Sequence, residues 1–205
     1  KVLTYRNEEG RRVYERSLRF ILLLAMRRLF PGKHVRILNS VGYGVYLRLL
    51  DEELDHTMVR ALEAEMQKIV REDIPFVREV WTTKQAIEHF SGDPDKAAIL
   101  HYRPSPTIPM YRLGDMYEYF YGIMVPSTRY IGVFALRPHF PGLVVRMPAP
   151  ADPAVPAPYL PRRKHLRTFA QSQEWSRILG VTNVPDVNHM IEQGRMREFI
   201  RINEA

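Results

Sequence analysis

Apolar positions follow helical spacing in the first part of the chain and strand-like alternation later. From Glu9 to Leu29, apolar residues recur every three or four positions, which predicts a long helix that ends before Pro31 and Gly32. We expect one face of this helix to pack on a sheet. That face comprises Tyr14, Leu18, Ile21, Leu22, Ala25 and Leu29.

Shorter segments follow, and capping and turn residues mark their boundaries. Asp55 is a candidate N-cap, and Thr82 with Gln85 has the spacing of a capping box. The aromatic and β-branched stretch from Tyr111 to Val145 predicts several antiparallel strands. The other predicted strands are Val2–Tyr5, His34–Asn39, Gly44–Leu50 and Phe76–Trp81, and the other predicted helices are Asp55–Arg71, Lys84–Phe90 and Asp95–His101.

A proline-rich stretch divides the predicted organisation. Residues 1–146 are expected to form an α+β domain, with the long helix packed on an antiparallel sheet. Residues 147–161 are rich in proline, which favours extended polyproline-II geometry and predicts a linker or a surface strap. Residues 162–205 are expected to form a helical extension, with helices at Arg162–Leu179 and Asn183–Ala205. Because the sequence starts at Lys1 and stops inside a helical pattern, we interpret it as a fragment of a longer polypeptide.

Composition excludes several kinds of chemistry. The chain has no cysteine, which rules out disulfides, thiolate metal sites and a cysteine nucleophile. The longest apolar run, Phe20 to Met26, is seven residues, too short to span a bilayer. The polar start does not resemble a secretory signal. We therefore expect a cytoplasmic protein without a membrane partner.

The net charge of +7 makes an anionic partner such as RNA plausible. The densest basic run begins just after the proline-rich stretch and is a candidate anion or RNA contact. A solvated linker end is the alternative interpretation of the same run. Its basic residues are Arg162, Arg163, Lys164 and Arg167.

Phe20 and Leu24 stand four residues apart on the first predicted helix, so they lie beside each other. Within Arg19–Leu49, this pattern resembles the second accessory domain of threonyl-tRNA synthetases, where such a helix carries two histidines at that spacing. Two histidines so placed can bind one metal ion. The resemblance implies an editing-type fold in which Phe20 and Leu24 replace that pair.

The second half of the family's site is a motif typically written CRGPHVP. Residues 120–126, FYGIMVP, resemble it, since the glycine, the valine and the final proline keep their places. Phe120 then stands for the cysteine and Met124 for the second-motif histidine. Glu118 matches the acidic residue two positions before that cysteine. The resemblance therefore implies a vestigial pocket that contains Phe20, Leu24, Glu118, Phe120 and Met124.

Hydrolytic editing requires an activated water, and therefore a base or a metal ion. Phenyl, isobutyl and thioether groups cannot deprotonate water, and a lone thioether is a poor zinc ligand. No two of the seven histidines are three or four residues apart. We therefore predict no catalytic residue, no metal and no cofactor in this chain.

The first and last parts of the chain, Tyr5–Ala25 and Trp175–Ala205, resemble a degenerate version of the domain that precedes the kinase domain in uridine kinase-like proteins. No G-x-x-x-x-G-K-[ST] phosphate loop occurs in the sequence. The resemblance implies an accessory fragment of a nucleoside kinase, whose ATP, Mg²⁺ and kinase domain in cis lie outside this chain. Positioning the kinase, self-association and ligand sensing are its expected roles.

Two other functions stay open at this point. A retired editing domain could still bind tRNA or another RNA through its basic surface. A hydrolase with an unrecognised site is the third.

Overall fold

The long amphipathic segment forms a single helix, α1 (Glu8–Leu29), as its periodicity predicts. The computed structural model describes residues 4–50, 52–159, 178, 184–195, 197, 200 and 201, and its fold is α+β. The chain divides into two compact units, Lys1–Glu79 with Pro109–Leu160 and Val80–Ile108 with Pro161–Ala205. The three-part division predicted from the sequence stays a prediction.

Four antiparallel strands form the main sheet of the first unit, in the spatial order β1 (Val35–Ser40), β2 (Gly44–Leu49), β7 (Gly142–Arg146) and β6 (Ala135–His139). Two of them flank the turn at Gly42, whose φ of +60° suits a residue without a side chain. A second sheet has the order β3 (Phe76–Thr82), β4 (Thr107–Leu113) and β5 (Met116–Tyr119).

The second helix, α2 (His56–Arg71), begins where its cap predicts. The Asp55 side chain accepts a hydrogen bond from the backbone N–H of Met58 at 2.7 Å. Arg28 of α1 donates to Glu65 of α2 and to Glu72, the residue that follows α2, each at 3.0 Å, and so joins the two helices at their surface. Inward side chains of both helices and of β2, β6 and β7 form one apolar core.

The proline-rich segment differs from its prediction. Part of it forms a hairpin of β8 (Pro148–Ala149) and β9 (Asp152–Pro156) instead of a polyproline-II strap. The bend between Ala149 and Asp152 brings two extended pieces side by side, so their backbones can pair. The hairpin lies within the first unit, and the Tyr5 hydroxyl donates to the Pro148 carbonyl at 2.7 Å.

The strand predicted at Val2–Tyr5 is wrong for Thr4 and Tyr5, the two of its residues that the structure describes. Both belong to the turn that leads into α1, where the Thr4 carbonyl accepts from the backbone N–H of Asn7 at 3.0 Å. Asn7 Oδ1 also accepts from the Thr4 backbone N–H. The backbone of Thr4 therefore pairs within this turn and not with a neighbouring strand.

The second unit contains the helices α3 (Thr83–His89), α4 (Pro94–His101) and α5 (Val184–Glu192). The capping box of Thr82 and Gln85 is confirmed at the start of α3. Asp93 caps α4, and the Tyr102 hydroxyl donates to Glu192 of α5 at 2.8 Å. The helix predicted at Arg162–Leu179 lies outside the described residues except at Ile178. Within the described part of the chain, no helix combines the length and the apolar character that a membrane crossing requires.

Candidate functional site

Phe20 and Leu24 lie in the centre of the core, each with 0% of its surface exposed. The Phe20 ring is 5.3 Å from the ring of Phe120 and 6.0 Å from that of Phe76, measured between centroids. These spacings are those of a packed aromatic cluster. The two helical positions therefore contribute hydrophobic side chains to the core and present no polar group to solvent.

The buried surface of α1 extends beyond the apolar face that the sequence predicts. Phe20 and Leu24 do not belong to that predicted face, but the structure places both inside the core with Leu18, Ile21 and Ala25. The reason is that α1 contacts side chains from the sheet, from α2 and from the loop after β5. A helix covered from several directions buries more of its circumference than one that rests on a single sheet.

The loop of residues 120–126 is fastened to α1 by hydrogen bonds. The Ser17 hydroxyl accepts from the backbone N–H of Val125 at 3.0 Å and donates to the Val13 carbonyl at 2.8 Å. Arg16 donates to the carbonyl of Ile123. These contacts fix the loop along the helix, so that Phe120 and Met124, both partly buried, pack against the core that contains Phe20 and Leu24.

The structure explains why glycine occupies position 122 in this loop. Its φ is +105°, and a Cβ atom there would lie 2.9 Å from the Arg16 guanidinium. Its carbonyl accepts from the Tyr111 hydroxyl at 2.8 Å. The glycine that this loop shares with the family's motif therefore allows a positive φ and a close approach of Arg16 on α1. Neither role requires a catalytic group.

Glu118 is the one ionisable member of the predicted pocket, and only 4% of its surface is exposed. It lies on β5, opposite Tyr111 of β4. Its carboxylate accepts from the backbone N–H of Tyr119 at 3.1 Å. This contact ties Glu118 to the start of the loop.

Thr128 closes the far end of the loop and is fully buried. Its hydroxyl donates to the Ile69 carbonyl at 2.8 Å and accepts from the backbone N–H of Ile74 at 2.9 Å. The end of α2, the segment before β3 and the loop therefore meet at one side chain. The roles of Ser17 and Thr128 could not be predicted from the sequence, because Val125 and Ile74, the partners that reveal them, are 108 and 54 residues away.

The structure brings Phe20 and Phe120 into contact and places Leu24 and Met124 against the same core. Apolar and thioether groups at these four places can pack, but they cannot transfer a proton or hold zinc. Within the described ranges, no group of three or more histidine, aspartate or glutamate side chains could hold a metal ion. The assignment of these positions to a former editing pocket stays a prediction.

The structure describes the arginines of α1, but it does not describe the basic run after the proline-rich stretch. Arg12, Arg16, Arg19 and Arg27 form a basic stripe on α1, in which Arg12 and Arg19 form ion pairs with Glu8 and Glu15. Arg27 of the same stripe pairs with Asp115. The basic run of Arg162, Arg163, Lys164 and Arg167 lies outside the described residues.

Comparison with known proteins supports the synthetase-like interpretation. Threonine–tRNA ligases of Streptococcus pyogenes serotype M2 (strain MGAS10270) and serotype M5 (strain Manfredo) are each 31% identical over 138 residues. The matched region is 66% of this chain and 21% of each ligase, so the chain spans about a fifth of the length of these curated relatives. No family model matches the chain. The chain therefore contains a threonyl-tRNA synthetase-like domain.

Proposed function

We propose that this chain is a non-hydrolytic accessory module of a uridine kinase-like nucleoside kinase. The observation that carries the first half of the proposal is the complete burial of Phe20 and Leu24, with the Phe20 ring against Phe120. The side chains at positions 20, 24, 120 and 124 offer no group that could activate water, and full burial of Phe20 and Leu24 supports a packing role for the two helical positions. This packing supports a non-hydrolytic, accessory role for the domain.

The kinase half of the proposal rests on resemblance. The segments Tyr5–Ala25 and Trp175–Ala205 are similar to the version of the domain that adjoins a kinase. In this proposal a kinase domain in cis binds ATP and Mg²⁺ and transfers the γ-phosphate to a nucleoside hydroxyl, while the accessory module positions that domain, mediates self-association or senses a ligand.

Two activities test this proposal together. The full-length polypeptide that contains this sequence is expected to phosphorylate uridine in the presence of ATP and Mg²⁺, measured as labelled uridine monophosphate. In the presence of the 205-residue chain, threonine tRNA that carries a wrong amino acid is expected to lose it at the uncatalysed rate. Hydrolysis of the aminoacyl ester by the purified chain would contradict the non-hydrolytic role, and a full-length polypeptide without nucleoside phosphorylation would contradict the kinase context.

A tRNA- or RNA-binding module is the second candidate, favoured by the similarity to tRNA ligases and by the net charge of +7. Its affinity for RNA should fall steeply with salt, because bound phosphates release condensed counterions. Replacement of Arg162, Arg163 and Lys164 by glutamine tests whether that basic run supplies the contact. Unchanged affinity in this variant would exclude the run as the RNA site.

A further inference from the structure

The first unit contains a cavity of about 330 Å³ that none of the residues of the filled site lines. It lies beside the first half of α1, and its other walls come from the turn before that helix, the segment before β6 and the β8–β9 hairpin. A volume of roughly 300 Å³ is at the lower end of the range of small-molecule pockets. The cavity is therefore large enough for a small ligand.

Hydrogen bonds fix the walls of this cavity. The Tyr14 hydroxyl donates to the Val133 carbonyl at 2.7 Å and accepts from the Val133 backbone N–H at 3.0 Å. The Tyr5 ring, whose hydroxyl donates to the Pro148 carbonyl, lies 5.0 Å from the Tyr14 ring at 83° to it. The two rings therefore hold α1, the segment before β6 and the hairpin in one arrangement. A preformed pocket of this kind loses little conformational entropy when a ligand binds.

Two glycines shape the cavity in different ways. At Gly10, a Cβ atom would collide with the Thr4 carbonyl, so glycine lets the preceding turn lie against α1 and close one side. At Gly132, a Cβ atom would meet open space within 4 Å, and φ is outside the positive region. Position 132 therefore has both the room and the backbone conformation for a larger side chain, which would occupy part of the cavity.

The walls are apolar and incompletely buried. Val13, Val125, Val133 and Pro153 each keep part of their surface exposed. Apolar side chains around an unfilled recess remain in contact with water, and a ligand with an apolar surface would displace that water. Tyr130 also lines the cavity and is 58% exposed, so its ring is free to stack on a bound molecule.

The lining carries no formal charge. None of the described residues around the cavity has an ionised side chain. Burial raises the pKa of Tyr5 to about 12, and burial also raises the pKa of Tyr14, so both hydroxyls stay neutral at physiological pH. Arg11 and Glu15, the charged residues that act on Tyr5, have opposite signs. A charged ligand would lose hydration here without gaining an ion pair.

We propose that this cavity binds an uncharged aromatic molecule of one or two rings. Tyr5, Tyr14 and Tyr130 supply three aromatic side chains, and such rings attract other rings through edge-to-face and offset-stacked contacts. Nucleosides and indole-like compounds are two sources of an uncharged ring of this size. The proposal concerns the first unit alone, and it does not depend on the kinase context.

An NMR titration of the 205-residue chain with indole and, separately, with uridine tests the proposal. We expect a dissociation constant on the order of 1 mM or lower, an affinity that a ligand of so few atoms reaches in an apolar pocket. Tighter binding of uridine would identify a nucleoside as the source of the ring, and tighter binding of indole would identify a more apolar compound. Indole-2-carboxylate, which adds a charge to the same rings, is expected to bind at least about fivefold more weakly than indole.

Gly132→Leu is expected to weaken binding by about tenfold or more, because the leucine side chain takes up space in the cavity without backbone strain. The matched control is Gly92→Leu. Gly92 is an exposed glycine of the second unit, where a Cβ atom also meets open space and φ is also outside the positive region. This control is expected to change the affinity less than about twofold.

Tyr130→Ala is expected to weaken binding roughly two- to tenfold through lost stacking. Its matched control is Tyr121→Ala, because Tyr121 is a comparably exposed tyrosine, at 54%, that does not line the cavity. The control is expected to bind the ring as the wild type does.

Thermal unfolding shows whether each variant is folded. The proposal fails if neither indole nor uridine binds in the low millimolar range, or if folded Gly132→Leu binds as tightly as the wild type. It also fails if the two control variants lose as much affinity as the two cavity variants. Should Gly132→Leu not fold, the comparison of Tyr130→Ala with Tyr121→Ala decides, because both side chains are more than half exposed.

Discussion

Replacing Phe20 with alanine is expected to lower the free energy of unfolding by about 3–5 kcal/mol. The side chain is fully buried and contacts the rings of Phe76 and Phe120, so its removal loses both the transfer free energy and the packing around the cavity. Urea denaturation measures the loss. If Phe20 instead faced an open editing pocket, the cost would be well under half of this.

Phe120→Ala is the matched control, because Phe120 belongs to the same cluster but is only partly buried. Its cost should be clearly smaller than that of Phe20→Ala. The double variant should show a coupling of about 0.5–1.5 kcal/mol, the range of aromatic pairs in contact. Strictly additive losses would mean that the two rings do not touch. The hypothesis that apolar side chains fill the former ligand positions would then lose its main support.

The second large effect concerns Thr128. Thr128→Val keeps the size of the side chain and removes its hydroxyl, which leaves the Ile69 carbonyl and the Ile74 N–H without this partner. Each such group costs about 1–3 kcal/mol when left unsatisfied, so for the two groups we expect a loss of about 2–6 kcal/mol in unfolding free energy. Chemical denaturation of the purified variant measures it.

Thr128→Ser is the control for that variant. Serine keeps the hydroxyl and loses one methyl group, which corresponds to about 0.8 kcal/mol of burial. The serine variant should therefore be more stable than the valine variant. The reverse order would show that Thr128 contributes by packing, and that the loop after β5 is not fixed through its hydroxyl.

The local elements could be predicted from the sequence because their signals are local. The periodicity of α1 and the caps at Asp55 and at Thr82 with Gln85 depend on residues within a few positions of each other. The α+β class followed from the same patterns. The hairpin in the proline-rich stretch could not be predicted from composition. A high proline content indicates extended backbone, but it does not indicate which extended segments pair with each other.

The surroundings of the candidate site depend on distant contacts. Apolar character at Phe20 and Leu24 could be predicted, but their complete burial results from a loop about one hundred residues later. The bond from Val125 to Ser17 spans 108 positions, and Ser17 looks like an ordinary polar residue on a helix.

Rebuilding the metal ligands tests most directly whether this domain keeps the frame of the editing site and fills it with apolar side chains. The variant Phe20→His/Leu24→His/Phe120→Cys/Met124→His places one thiolate and three imidazoles, a ligand set that suits tetrahedral zinc. Should four changes in the core prevent folding, Phe20→His/Phe120→Cys uses the two positions whose rings already touch. The wild type is the control.

The measurement is zinc content after dialysis, with circular dichroism and cooperative unfolding as the check that each variant is folded. We predict about one tightly held zinc ion per quadruple variant, or zinc-dependent stabilisation of the double variant, and neither for the wild type. Folded variants that take up no zinc and gain no stability from it would contradict the account, because the four positions would then not converge on one site.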